Sequence, residues 1–466
     1  MYLCEICNQL TLHDLEDGYM LYSDVELLIQ ETERENPCSL CSLVWRSLGF
    51  TKFFRPVVGA VHLFLNPPPS HTLDRLQYVD IIVTTRNVSE FSWGLYVPGE
   101  PSHLGPPDYK DGTVGQTRFK YRVPFWNSEE DDCFLLAKEW LNDCLRLHGS
   151  SCQGEVVELP DRLVDVGPTD GSGTLRLIAT KETNLANAQS LRYAALSYCW
   201  GKDTFLTTQS STLPRFMASI VWDALPKTVR DAIIVTRRLG VRYLWVDALC
   251  IIQGNDYVAR SDWKRESANM HNIYGGAFVT LSAAHAAHAN EGLFHRRNVE
   301  PRSFCALKST SKYPGTVFLG PEPPPLLSYM EALNTRAWTL QERILSNRVL
   351  TYGTNGIRWM CHGSLHHETA PHLGHQGFRV VETEERTNSI NQSHQKPQWM
   401  LTEWKGIIEQ FSQRDLTDIT DKLPAISGLA QVINKSCGDK YLAGLWHSDV
   451  LQQLMWPHTE DAKYSM

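Results

Sequence analysis

The chain has 466 residues, 42% of them hydrophobic and 21% charged, and 44 basic against 52 acidic side chains leave a formal net charge of −8. This is the composition of a globular chain of roughly two to four domains, which excludes disorder as the main state. The acidic balance offers no basic face for nucleic acid. No run approaches the roughly 20 apolar residues of a spanning helix, so no membrane span is expected. The start, MYLCEICNQL, lacks the basic and apolar regions of a secretory signal, and a cytoplasmic chain with reduced thiols follows as the expectation.

Taken in chain order, the first pattern is Cys4-x-x-Cys7 with Cys38-x-x-Cys41. Two intervening residues fold a short knuckle that aims both sulfurs inward, and two such pairs make a tetrahedral thiolate set suited to zinc. Between them residues 22–35 read as a helix with Val25, Leu28 and Ile29 on one face. The knuckle region is expected to span residues 1–50. An extension over 51–190 follows, with strand-like runs at 57–65 and 78–85, breaks at Pro67-Pro68-Pro69 and at 98–115, and a helix over 129–148. The cysteines at 133, 144, 152, 199, 250, 305, 361 and 437 show no close pairing in the sequence; Cys199 and Cys250, inside apolar runs, read as core.

The middle alternates strand and helix. Residues 193–201 form an apolar run ending in glycine. A helix opens after Leu225-Pro226, with Thr228 as its cap and Asp231 three residues on, and Gly240 stops it. Residues 243–252 read as a second buried strand, 262–274 as a second helix closed by Gly275-Gly276, and 278–282 as a third strand. This rhythm predicts an α/β fold, a parallel sheet with crossover helices. Residues 336–345 then read as an amphipathic helix with Gln341 and Glu342 on its polar surface. Asn355-Gly356 between apolar runs predicts a hairpin. Residues 364–400 are polar, and histidines 362, 366, 367, 372 and 375 read as part of an exposed tract. The tail from Trp404 reads as helical, packing with 423–429 and 442–446.

Ligands of parallel sheets bind at the carboxyl ends of the strands. Ser197, Tyr198, Trp200 and Gly201 after the first strand, and Asp247, Cys250 and Gln253 at the second, are therefore the candidates. Asp247 interrupts an apolar strand and either binds Arg336 or Arg343 or orients a ligand. Glu266 falls on the inward stripe of the 262–274 helix, in its first turn, with Trp263, Met270, Ile273 and Tyr274; a carboxylate there is paired or functional. The phosphate-loop, dinucleotide-fingerprint, zincin and nucleophile-elbow motifs are absent.

Three blocks resemble the fungal heterokaryon-incompatibility (HET) domain: residues 193–201; residues 225–233 running into 243–253 and then Asp262, Trp263, Glu266, Met270, Ile273 and Tyr274; and residues 336–342 with 348–350. The core of the likeness covers 193–345, and 346–466 is left as a hairpin, His-rich loop and helical region. In one departure, Gly254-Asn255 intervene before Asp256, where the family carries an acid directly after the glutamine. The chain ends soon after Trp456, so a partner-binding C-terminal domain is not expected. The resemblance implies an effector of nonself recognition that promotes programmed cell death by assembling with copies or protein partners. HET domains are in turn distantly similar to TIR domains, some of which cleave NAD with a helix-borne Glu. That likeness implies a flavodoxin-like sheet, Glu266 and Asp247 as catalytic candidates, and Ser197, Tyr198, Trp200 and Gly201 as residues that hold NAD.

Overall fold

The computed structural model describes residues 3–16, 18–47, 60–66, 78–84, 89–97, 121–122, 124–152, 158–181, 191–297, 305–307, 317–321, 331–369 and 398–455. The chain divides into two compact units, 1–132 with 296–326 and 366–373, and 133–295 with 327–365 and 374–466. Within the described residues no helix is long and apolar enough to cross a membrane.

In the first unit a helix at Val25–Thr32 starts at Asp24, whose carboxylate accepts from the Glu26 N–H at 3.0 Å. It buries Val25, Leu28 and Ile29, the face the sequence assigns. These side chains close over Cys4, Cys7, Cys38, Cys41, Leu40 and Val44 in one buried cluster. Strands Tyr19–Tyr22, Ala60–Asn66, Tyr78–Thr84 and Ser89–Val97 pair antiparallel in sequence order, and Val317–Pro321 and Cys305–Leu307 continue that sheet.

The second unit holds the α/β core. Its sheet includes strands β1 (Arg162–Asp165), β2 (Arg176–Ala179), β3 (Tyr193–Ser197), β4 (Tyr243–Trp245), β5 (Val279–Ser282), β6 (Arg348–Gly353) and β7 (Gly356–Cys361), in spatial order β7-β6-β5-β3-β4-β1-β2. The pairs β4/β3, β3/β5 and β5/β6 are parallel; β7/β6, β4/β1 and β1/β2 are antiparallel. β3 and the Val279–Ser282 strand are buried at every residue, as continuous apolar runs between layers must be. The predicted parallel pairing is therefore present, set in a mixed sheet with antiparallel edges. From β3 the next sheet strand in sequence, β4, lies to one side, and from β5 the next, β6, lies to the other. The carboxyl ends of β3 and β5 thus flank the switch point of a doubly wound sheet, where open α/β folds bind ligands.

The helices around this sheet include α1 (Asp131–Leu147), α2 (Lys227–Arg238), α3 (Tyr257–Ala268), α4 (Met270–Gly276), α5 (Trp338–Leu345), α6 (Gln398–Ser412) and α7 (Pro424–Cys437). Helix α2 begins after Pro226 rather than at Thr228. Thr228 and Asp231 instead face inward: Thr228 Oγ1 accepts from the Gly292 N–H, and Asp231 Oδ2 accepts from the Leu293 and Phe294 N–H groups at 2.9 and 3.2 Å and from Lys227 at 2.7 Å. The predicted second strand is cut short. After Trp245 the chain turns into a single helical turn, Asp247–Cys250, so Asp247 ends the strand instead of interrupting it.

The 262–274 helix is two helices broken at Asn269, and the first starts earlier, at Asp256, whose side chain caps Ala259 N at 2.9 Å. Glu266 accordingly lies in the last turn of α3, where the helix dipole opposes its charge, not in a first turn. Trp263, expected inside, is 39% exposed.

Helix α5 buries Thr339, Leu340, Gln341 and Glu342 in succession. It packs on β3 on one side and on α4 and α7 on the other, so the polar surface expected for Gln341 and Glu342 does not exist. Leu340 shares a core with Trp404, Ile407, Leu429, Ile433 and Trp446, which joins the helical tail to α5. In the hairpin, Gly353 pairs with Gly356, so the two-residue turn is Thr354-Asn355 and Gly356 opens the second strand. His367 is buried, against expectation, and hydrogen-bonds Thr369; His372 and His375 lie outside the described residues.

Candidate functional site

Ser197 is the last residue of β3, and its hydroxyl donates to Glu342 Oε2 at 2.5 Å. Burial pushes the Glu342 carboxyl up to about 7; Ser197 and Arg336 act against that rise, and the nearby Asp247 adds to it. The Tyr274 hydroxyl, beside Glu342, donates to the Leu196 carbonyl at 3.1 Å.

Asp247, two residues beyond β4, is partly exposed yet crowded by neighbours. Desolvation raises its pKa, while hydrogen bonds from Trp200 Nε1 (2.8 Å) and the Ala248 N–H (2.7 Å) lower it. The Tyr198 hydroxyl is buried close to Asp247 without a well-formed hydrogen bond. Arg336 donates to the Tyr198 carbonyl at 3.0 Å and supplies positive charge to both Asp247 and Glu342.

Trp200 packs edge-on against Phe205 with ring centroids 5.3 Å apart. Gly201 turns the chain with φ +80°, and a Cβ there would lie 2.4 Å from the His288 Cβ, so glycine lets the loops after β3 and β5 meet. Two carboxyl groups, one guanidinium and an aromatic rim thus gather at the switch point. Such a set can hold a planar cationic or hydroxylated ligand and move a proton near neutral pH.

Glu266 stands in a different group. Asp262 accepts from the Ile252 N–H at 2.7 Å and pairs with Arg162 and Arg265; Arg265 also pairs with Asp161 at 2.5 Å. Glu266 is 2% exposed, with Arg265 Nε 3.8 Å from one oxygen and no hydrogen-bond partner for the other. Burial, with Asp161 adding, pushes its pKa up to about 7. Because β1 runs antiparallel to β4, Arg162 reaches the same sheet edge as Asp247, but on the β4/β1 side, away from the β3/β5 crevice. The cation beside Glu266 is its chain neighbour Arg265.

Of the residues the sequence offers, Ser197, Tyr198, Trp200, Gly201 and Asp247 lie together at the ends of β3 and β4, and the fold adds Glu342 and Tyr274 beside them. No local signal marks Glu342, whose helix reads as amphipathic with this carboxylate on its polar side.

The four knuckle sulfurs converge, all within 4.8 Å of one another. Cys41 Sγ lies 3.5 Å from Cys7 Sγ and 3.9 Å from Cys4 Sγ, near the roughly 3.8 Å separation that tetrahedral Zn–S bonds of about 2.3 Å impose. The Tyr22 hydroxyl sits 3.1 Å from Cys41 Sγ. Four buried soft donors with no open position fit a structural metal ion.

No curated protein and no solved structure matches the chain. Residues 193–342, from the first residue of β3 to Glu342, match the family model described as Heterokaryon incompatibility protein (HET), so the segment that carries the switch-point cluster is similar to that family.

Proposed function

We propose that this protein is an effector of fungal nonself recognition that promotes programmed cell death by assembling through its HET domain with copies of itself or with protein partners. The family match supports an incompatibility role. The observation favouring assembly is on helix α3, which leaves Tyr257, Val258 and Trp263 exposed at 86%, 53% and 39%. Aromatic side chains left in water on a domain helix suit a protein-binding surface. Zinc in the Cys4/Cys7/Cys38/Cys41 knuckle would fix the N-terminal fold in this reading.

The test is expression in a fungal host of wild type and of a Tyr257→Ala, Val258→Ala, Trp263→Ser combination, scoring cell death and self-association together. Assembly predicts that the surface variant, folded and expressed, loses both. Wild-type killing by that variant would defeat the reading.

A second reading, NAD cleavage, is favoured by Glu266: a buried carboxyl with one unpartnered oxygen and a pKa near 7 is suited to assist a leaving group. Ser197, Tyr198, Trp200, Gly201 and Asp247, at the β3/β5 crevice and not beside Glu266, would then hold a part of NAD other than the nicotinamide. Loss of NAD consumption by purified Glu266→Gln, with Glu342→Gln run beside it, would support the enzyme. Cell death retained by Glu266→Gln at unchanged cellular NAD would reject it.

A further inference from the structure

Cys144, Cys152 and Cys361 carry no pattern that the sequence reveals, yet the fold brings them together with His148. One donor atom from each residue lies within 4.8 Å of the others. Cys144 and His148 stand four residues apart at the end of α1, and the His148 N–H still bonds the Cys144 carbonyl at 3.1 Å, so both side chains share one helix face. Gly149, at φ +44°, turns the chain into the short 3₁₀ segment Gly149–Cys152, which returns Cys152 to the same point. Cys361 arrives as the last residue of β7, 213 positions from His148, with its Sγ 3.2 Å from the imidazole Nδ1.

We propose that Cys144, His148, Cys152 and Cys361 form a second, structural zinc site of Cys3His type that ties the end of α1 to the end of β7. The donor set is soft and closed: all three sulfurs are buried, the histidine half-buried, and four ligands complete a tetrahedron with no position left for water.

Two further observations fit a built site. Gly363 faces the imidazole so closely that a Cβ there would sit 2.4–2.5 Å from its ring atoms, so the glycine clears the space the histidine needs. Three thiolates and a neutral imidazole around Zn²⁺ leave one net negative charge. The buried Arg348 donates from Nε to Cys144 Sγ at 3.2 Å and answers that charge, while Ser364 Oγ lies 3.2 Å from Cys361 Sγ. Such outer partners orient and tune metal ligands.

The experiment uses the full chain, purified without chelator. Zinc is counted by mass spectrometry and its ligand shell read by X-ray absorption, beside Cys361→Ser and a Cys4→Ser, Cys7→Ser pair. With both sites loaded, wild type should hold about two zinc ions per chain with an average shell of about 3.5 sulfurs and 0.5 nitrogen. Cys361→Ser should lose one zinc and the nitrogen signal. The N-terminal pair should leave a three-sulfur, one-nitrogen shell. One zinc per wild-type chain in a three-sulfur, one-nitrogen shell equally supports the site. An all-sulfur shell in wild type overturns it, whatever the stoichiometry and even if Cys361→Ser does not fold. So does zinc-free protein, or a disulfide joining two of Cys144, Cys152 and Cys361 in the non-reduced, alkylated protein.

Discussion

Replacing Glu342 with glutamine should stabilise the protein above neutral pH and do little in acid. In the unfolded chain this carboxyl titrates near 4.5; in the fold, burial raises it to about 7. Between those values the folded state binds more protons than the unfolded one, so stability falls as pH rises. The loss is absent below 4.5 and complete above about 7. At about 1.4 kcal/mol per pH unit, the rise corresponds to about 3 kcal/mol at pH 8. Glutamine removes the charge but can still accept the Ser197 hydroxyl. Urea unfolding followed by tryptophan fluorescence at pH 5 and pH 8 measures the effect. The wild-type-minus-variant difference isolates Glu342 from Asp247 and Glu266, whose pKa values are also raised by burial. A variant less stable than wild type at pH 8, or a difference independent of pH, would refute the reasoning. It would mean that Glu342 is ionised and held by Arg336.

Gly201→Ala should cost roughly 2–4 kcal/mol, since the new methyl meets His288 at 2.4 Å in a left-handed backbone, whereas Gly240→Ala, with φ +77° but nothing within 4 Å, should cost about 1 kcal/mol; equal melting temperatures for the two variants would show that the loops do not touch. Asp231→Ala should cost about 2–5 kcal/mol by leaving the Leu293 and Phe294 N–H groups buried without an acceptor, and should speed hydrogen exchange at those two amides; unchanged exchange there would reject the contact.

Much of the second unit is legible in the sequence because local chemistry and global fold agree there. The apolar run at 193–197, the stop at Gly240 and the strand at 279–282 each state their role within a few residues. The knuckle pairs are legible for the same reason, since each Cys-x-x-Cys is a local chelating turn. Errors fall where a residue's surroundings come from distant chain. Glu342 reads as surface because nothing near it tells that α7, about eighty residues on, covers its helix. Trp263 reads as core because the helix breaks at Asn269, and a helical wheel drawn through a break does not hold residues on its two sides to one face. Asp247 reads as a strand interruption because a single turn of helix buries the same apolar residues a strand would. The second cysteine set lies beyond any spacing rule: Cys361 meets His148 only after β6 has joined the sheet and returned through the Thr354-Asn355 turn. The sequence by itself determined the strand–helix alternation, the α/β class, the HET likeness and the N-terminal thiol pairs, all set by periodicity and short-range spacing. The tertiary structure alone decided which carboxyl groups lose their water, which aromatics keep it, and which cysteines meet, because desolvation and convergence depend on what packs against a residue rather than on what stands beside it in the chain.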